Sequence, residues 1–485
     1  MKIKSFAVII ALFSLMMGTA KADNVDLQTA RQVGAFYFAK VTLAKAPVAP
    51  EALTLAEQFD NPTLSIPAVY AFNVEDNGFV VVAANDAVDP ILAYSPTGSL
   101  SEETMSPACR YMLESYAKLI SSVQNLGTVA SKECADQWKS LIEQTYTPSH
   151  DPSKAVVLVK ARWGQGDPYN CFCPKVGNER CLTGCVATAM AQIIHYWKFP
   201  LQGGLTDQSV QNWHTATCPW NGQTMKYKFM VDSNKFLFDS MPNSIRPNSE
   251  WNKRRAIGKL NFACGVTVKM SWGVDASGAV SQNVPSALKY FKYDNVVFKY
   301  RQGTTSSSWI ALMHSEIDDN ARPIYYAADD PNPEHTGVDR AGHAFVIAGS
   351  DPDNTNRFYV NWGWSASDNG YFTFSPMDNM EFAGGYTFTH GHEMAYQIYP
   401  NRVSIEENTQ FSTVQAYPNP TTDYLIIPAD ANFNLRLSVY SIDGKMVDNL
   451  VVPAGSQEYR LDVRNYPAGT YFYRLNGSAC KFVVE

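Results

Sequence analysis

The sequence predicts an α+β protein of three bodies: a leading α+β segment, a larger centre mixing helix and strand, and a small β-sandwich module at the end. Three observations predict it. Helical three- and four-residue spacing alternates with a hairpin signal in the first third of the chain. An apolar-faced helix near Cys185 is followed, far downstream, by compact apolar strand runs. Near the end, Leu435, Leu437 and Val439 alternate with polar neighbours, as in a half-buried strand. With 485 residues the chain has room for about three domains at ~100–200 residues each.

The chain opens with Lys2 and Lys4, an apolar run from Phe6 to Met17, and then Gly18-Thr19-Ala20-Lys21-Ala22. A basic start, a short apolar core and an Ala-x-Ala site predict a secretory signal over residues 1–22, and hence an exported protein. The run is too short to span a bilayer, and no later segment reaches ~18 uninterrupted apolar residues, so no stable membrane insertion is expected. The composition, 45% hydrophobic and 18% charged, is that of a folded protein. A net charge of -7 without a long basic run argues against nucleic acid as a partner.

Residues 23–152 form the first body. Ala71–Val74 and Phe79–Val82 flank Asn77-Gly78, a strong hairpin signal, and helical spacing follows over Pro107–Val123 and Ala135–Gln144. "YTPSHDPSKA" then reads as an exposed linker. Residues 153–400 are the aromatic-rich centre. The polar stretch "NRVSIEENTQFSTVQ" leads into the β-module, residues 401–485, where Asp443-Gly444 turns the chain and "PAGTYFYRL" and "CKFVVE" supply strands.

The chemistry sits in the centre. In "CLTGCVATAMAQIIHYW" the residues Val186, Ala189, Met190, Ile193, Ile194 and Trp197 recur at helical spacing, with Thr183 a fitting N-cap. Cys185 therefore lies in the first turn, beside Gly184. There the unpaired N–H groups and the dipole favour a thiolate, lowering a thiol pKa from ~8.5. A nucleophile needs a base, and His343 opens the strand run "HAFVIAGSD". Asn361 ends a second strand, next to Trp362 and Trp364. Its amide oxygen would accept from the imidazole and hold it, with the indoles shielding that bond. Gln165, in "WGQGDPYN", would supply an oxyanion donor together with the Cys185 N–H.

Nine cysteines is an odd number, so at least one is free or pairs outside the chain. Cys171, Cys173, Cys181 and Cys185 crowd together but lack the Cys-x2-Cys knuckles of structural zinc sites. His195, inside the helix, reads as structural. His390 and His392 form a His-x-His pair without an evident third metal ligand.

The stretches "WGQGDPYN", "LTGCVATAMAQIIHYW", "GHAFVIAGSD" and "YVNWGW", in that order, resemble the streptopain family of papain-like cysteine peptidases over residues 153–400. The resemblance implies a two-lobed papain-like domain, a helical half facing a sheet half across a cleft. It implies endopeptidase activity on protein and peptide substrates through a Cys185–His343 pair, with Gln165 and Asn361 on the family's matching positions and no metal or organic cofactor. It also implies a zymogen, residues 23–152 being an inhibitory propeptide. "AYPNPTTDYLIIP", "VYSIDGKMV" and "YPAGTYFYRL" resemble the C-terminal sorting domain of the type IX secretion system of Bacteroidetes. That implies a partner in the export machinery, and a destination outside the cell or on its surface. Two other classes use part of the pattern. Cys–His–Asn sets also serve amidases and transglutaminase-like enzymes, and a non-catalytic adhesion protein would need only the β-module.

Overall fold

The computed structural model describes residues 22–199, 214–229, 236–328, 342–375, 391–400 and 416–485, apart from single positions at 45, 76, 102, 104, 151, 153, 154, 432, 433, 443, 444, 476 and 477. The signal segment up to residue 21, the stretch 401–415, Asp443-Gly444 and His390 lie outside the described residues.

The leading body starts with α1 (Leu27–Val41), whose first turn is capped by the Asp26 carboxylate accepting from Thr29 N–H. An antiparallel meander follows: β1 (Leu53–Asn61), β2 (Ile66–Val74), β3 (Phe79–Ala83) and β4 (Ile91–Ser95). The turn at Asn77-Gly78 joins β2 to β3 as expected from sequence, with Asn73 opposite Phe79. Helix α2 (Pro107–Leu126) begins on an accepting Ser106 side chain with Pro107 next, and stops at Gly127. Its stripe of Ala108, Met112, Leu113, Tyr116, Ile120 and Val123 is buried, and the helix lies on β1 and β2. Helix α3 (Lys132–Ile142) packs on α1 and ends this body.

In the central body a small hairpin, β5 (Lys175–Val176) with β6 (Glu179–Arg180), leads into α4 (Cys185–Trp197). Almost every residue of α4 is buried, because α5 (Trp251–Thr267) packs on one side of it and the sheet on another. A separate hairpin, β7 (His214–Trp220) with β8 (Gln223–Phe229), lies against α5. Then come α6 (Val284–Lys289), β9 (Val297–Tyr300), α7 (Ser306–His314), β10 (Ile324–Ala328), β11 (His343–Ser350), β12 (Arg357–Asn361), β13 (Gly370–Thr373) and β14 (Glu393–Tyr396).

Among the described residues one ten-stranded sheet runs β1-β2-β3-β4-β13-β12-β11-β10-β14-β9. It crosses from the leading body into the central one where Tyr94 and Ala93 of β4 face Tyr371 and Phe372 of β13. The two bodies consequently share one apolar core. At the join Arg357 is fully buried. It pairs with Asp351 at 3.0 Å, donates to the Ile91 carbonyl at 2.7 Å and to the Tyr37 hydroxyl, and lies over the Tyr37 and Tyr94 rings.

The last body has two sheets. β15 (Tyr424–Ala431) pairs with β18 (Ser456–Asp462), and the second sheet is β17 (Met446–Val452), β16 (Leu435–Ser441), β19 (Gly469–Leu475) and β20 (Ser478–Val484) in that order. Leu425, Ile427, Leu437, Val439, Leu461 and Phe482 fill its own core. Arg436 and Asn434 tie it to the centre: Arg436 donates to the Ile317 carbonyl at 2.9 Å and Asn434 to the Tyr196 carbonyl at 3.3 Å. No helix among the described residues is long and apolar enough to cross a membrane.

Candidate active site

Helix α4 starts at Cys185, with Gly184 rather than Thr183 in the cap position. Gly184 has φ of +83°, and a Cβ there would come within 2.6 Å of Met270 Cε, so only glycine lets the chain turn into the helix at this point. Thr183 does not cap. Its hydroxyl donates to the Gln165 carbonyl at 3.2 Å and is paired with Thr188 Oγ1 at 2.9 Å. The effect is to lock the Gln165 loop onto the start of the helix.

Cys185 and His343 come together. The thiol and the imidazole lie close enough for each to shift the other's titration. Burial pushes the Cys185 thiol up, but the His343 charge, the hydrogen bond to the ring and the N–H groups of Ala344 and Val186 outweigh it, and the pKa is lowered. The Val186 contribution is the helix N-terminus acting on sulfur. For His343 burial works against the charged ring. The Cys185 thiolate, its hydrogen bond, the Trp362 carbonyl and the Asp368 charge reverse that, and the pKa is raised. Opposite shifts in two touching groups favour a thiolate–imidazolium pair.

The group that orients His343 is not the one expected. His343 Nε2 donates to the backbone carbonyl of Trp362 at 3.0 Å. Asn361 points elsewhere, with Nδ2 donating to the Ala161 carbonyl at 2.6 Å and to Gln192 Oε1 at 3.0 Å, and Oδ1 accepting from Gly363 N–H at 3.1 Å. The register explains the correction. Asn361 faces Val346 across the sheet, and His343, three residues before Val346, projects to the other face. The Trp362 indole packs between Phe345 and Phe372 and donates to the Asp368 carbonyl at 2.9 Å. The Trp364 ring lies edge-on to His343 at 6.3 Å.

Gln165 is buried, and its Nε2 has no hydrogen-bond partner among the described residues. An amide donor held by its own backbone, with its NH2 unspent, suits an oxyanion that exists only during reaction. Gln192, which the apolar pattern of the helix hides, accepts from Asn361 Nδ2 and Trp163 N–H. Its signal in the sequence was a buried-face amide seven residues after the thiol.

The remaining candidates fall outside the site. His195 is half-buried, lies tilted against the Trp163 ring and donates to the Met241 carbonyl, with desolvation taking its pKa down to about 4. His392 is buried against the Tyr326 hydroxyl at 2.7 Å. All nine cysteines are thiols. Cys171 rests on the Arg254 carbonyl, and burial pushes Cys173 up to about 12. Among the described residues no group of three His, Cys, Asp or Glu is placed to hold a metal.

The leading body closes over the site. Ala108, Tyr111 and Met112 of α2 line a small gap with His343, Phe345 and Trp362. Ser106 donates to Asp368 Oδ2 through its N–H at 2.7 Å and its hydroxyl at 2.6 Å, and Ser99 N–H donates to the Ser367 carbonyl at 2.9 Å.

A thiol at a helix start, touching an imidazole at a strand start and covered by a preceding segment, defines a papain-like cysteine peptidase in zymogen form. Residues 163–372 match the Peptidase C10 family, residues 22–120 the Spi protease inhibitor family, and residues 415–485 the secretion system C-terminal sorting domain. The centre of the chain thus carries a Peptidase C10 domain, of the streptopain family. It is 28% identical to streptopain of Streptococcus pyogenes serotype M1 over 328 residues, 65% of this chain and 76% of the relative. It is 26% identical to the thiol protease/hemagglutinin PrtT of Porphyromonas gingivalis over 309 residues, 61% of this chain and 32% of that one. The fold is similar to that of a prointerpain A fragment from Prevotella intermedia, with a TM-score of 0.54 and 23% identity, covering 72% of this chain and 99% of the fragment. The protein is a cysteine peptidase with an inhibitor-type prosegment, secreted by way of its sorting domain.

Proposed function

We propose that the protein is an endopeptidase, made as a precursor, that cuts internal peptide bonds of proteins through Cys185 and His343. The observation that carries this reading is that Cys185, at the start of α4, and His343, at the start of β11 and held by the Trp362 carbonyl, lie close enough to shift each other's titration. The Cys185 thiolate adds to the scissile carbonyl, forming an S–C bond. Gln165 Nε2 and the Cys185 N–H take the negative charge that moves onto oxygen. His343 gives its proton to the leaving nitrogen as the C–N bond breaks, then takes a proton from water, which releases the acyl group and restores the thiolate. The Trp362 carbonyl keeps the ring in position through both transfers.

In the precursor, residues 23–152 act as an intramolecular inhibitor, residues 153–400 as the peptidase and residues 401–485 as the address read by the export machinery. Activation needs a cut between Thr147 and Val156. This stretch lies after α3 and before the bridge from Val157 to Gly349, with Ser149 N–H donating to Asp353 Oδ1 at 2.6 Å. A preference for a hydrophobic side chain two positions before the cut is carried over from the streptopain resemblance.

Replacing Cys185 with Ala tests the reading. Casein digestion is expected to vanish and the purified precursor to stay uncut, while wild-type enzyme added in trans still processes it. Casein digestion by the Cys185→Ala protein would overturn the assignment.

A further inference from the structure

Between the Cys185 helix and the carbonyl that holds His343 lies a buried pair of amides that the reaction does not use. Gln192 follows Cys185 by seven residues, two helical turns, and so shares its face of α4, with Thr188 between them. Its Oε1 accepts from Asn361 Nδ2 at 3.0 Å and from Trp163 N–H at 3.4 Å. Asn361 Oδ1 in turn accepts from Gly363 N–H, which closes a turn around Trp362. Gly363 has φ of +69°, and a Cβ there would stand 3.3 Å from the Thr188 methyl, so this turn lies directly against the helix.

The direction of both amides follows from their neighbours. Rotating the Gln192 amide would set its NH2 against two donors. Rotating the Asn361 amide would set an NH2 against Gly363 N–H and an oxygen against the Ala161 carbonyl. Gln192 Nε2 is buried with no partner among the described residues. A half-satisfied buried amide is a poor stabiliser; leucine or methionine would remove the orphaned Nε2 but leave Trp163 N–H and one Asn361 N–H without their acceptor. Packing alone therefore does not account for glutamine at this position.

We propose that Gln192 and Asn361 form a positioning strap that fixes the Trp362 carbonyl to the Cys185 helix and thereby sets the His343 ring at the thiolate. The inference rests on the Cys185–His343 reading above. A peptide carbonyl in a loop turns with its flanking torsions, and a ring held by one such carbonyl turns with it. Tying Asn361 to α4 puts nucleophile and orienter on one rigid unit. Neither amide touches the reacting atoms. Both act through the Trp362 backbone.

The test uses full-length precursors of Gln192→Met and Gln192→Glu, processed in trans by wild-type enzyme, with kcat and KM measured on a peptide substrate across pH. Gln192→Met keeps the volume and loses the acceptor. It is expected to lower kcat by about 10–100-fold with KM nearly unchanged. The alkaline limb of kcat/KM moves to lower pH, because a ring that loses its carbonyl gives up its proton more easily. Gln192→Glu keeps an acceptor and is expected to retain most of the wild-type kcat. Should Gln192→Met not fold, Gln192→Asn, one methylene too short to reach Asn361, takes its place with the same expectation. Leu288→Ala, a buried change in α6, controls for lost stability and is expected to leave both pH limbs in place. Wild-type kcat and limbs in Gln192→Met, or an equal shift in Leu288→Ala, would overturn the strap. Residual activity in Cys185→Ala would instead overturn the nucleophile, so the two failures are distinguishable.

Discussion

The peptidase carries two attachments of opposite construction. The prosegment extends the peptidase sheet strand by strand, shares its apolar core and wraps the buried Arg357 with Tyr37, Tyr94 and the Ile91 carbonyl. The sorting module keeps a core of its own and meets the peptidase through Arg436, Asn434 and the half-buried Val451, which packs on the peptidase core. An inhibitor must outcompete every substrate, and it does so by becoming part of the fold. An address needs only to be displayed, and a small contact between two finished cores is enough. The difference implies that disturbing the first interface damages the precursor as a whole, whereas disturbing the second only frees a module.

The largest expected effect comes from Arg357→Met. It leaves Asp351 buried without its partner, and breaking a buried pair in this way costs about 3–5 kcal/mol. Thermal unfolding of the uncleavable Cys185→Ala precursor would register that loss. In the processed enzyme, freed of the prosegment, the guanidinium faces water and the same change is expected to cost about 1 kcal/mol or less. Equal losses in both forms would mean that Arg357 serves the peptidase alone.

Asp368→Ala comes next. It removes the acceptor of two Ser106 hydrogen bonds at the start of α2, close to His343. Bonds to a charged acceptor contribute about 1.5–3 kcal/mol, so isolated prosegment should inhibit the processed variant roughly 10–100-fold less well. An inhibition constant unchanged from wild type would show that the α2 cap adds nothing to latency.

These interfaces mark where the sequence could be read and where it could not. The hairpin at Asn77-Gly78, the helix after Cys185 and the strand opening on His343 follow from local pattern, and local pattern survives in the fold. The orienter of His343 was misplaced because a main-chain carbonyl has no residue type. Asn361 was the side chain that sequence could offer, and the register turns it away. Gln192 was hidden by the apolar residues around it. Arg357 and Tyr37 meet across most of the chain, and no periodicity announces such a contact. In β16 the alternation of Leu435, Leu437 and Val439 suggested one buried face. Arg436 and Ser438 are buried as well, Arg436 because it reaches the Ile317 carbonyl of a second body that the strand's own spacing does not record.

Arg436→Ala therefore tests the weaker attachment. Asp318, which Arg436 approaches at 3.8 Å, keeps His314 and Ser350 as partners, so the loss is that of the buried bond to the Ile317 carbonyl, about 1.5–3 kcal/mol. Casein digestion should be unchanged, while calorimetry resolves the sorting module as a separate transition. A fall in activity would mean that the module supports the catalyst.

The smallest effect is a pH dependence at the same contact. His314 offers one ring nitrogen to Asp318 at 2.5 Å and the other to the Thr355 carbonyl at 2.7 Å. Two acceptors suit a ring that carries both protons. Burial lowers its pKa, but the Asp318 hydrogen bond and charge and the Thr355 carbonyl prevail, and the pKa is raised. A group raised in the folded state stabilises fully below its unfolded pKa of about 6.5, and that stabilisation is lost as pH climbs through the folded value. The melting temperature of the full chain should thus fall slightly above about pH 6.5, by an amount equivalent to ~0.2–1 kcal/mol, the range of partly exposed pairs. His314→Gln should flatten that segment of the curve. If the slope persists in the variant, some other histidine sets it, and the polar seam between module and peptidase is indifferent to pH.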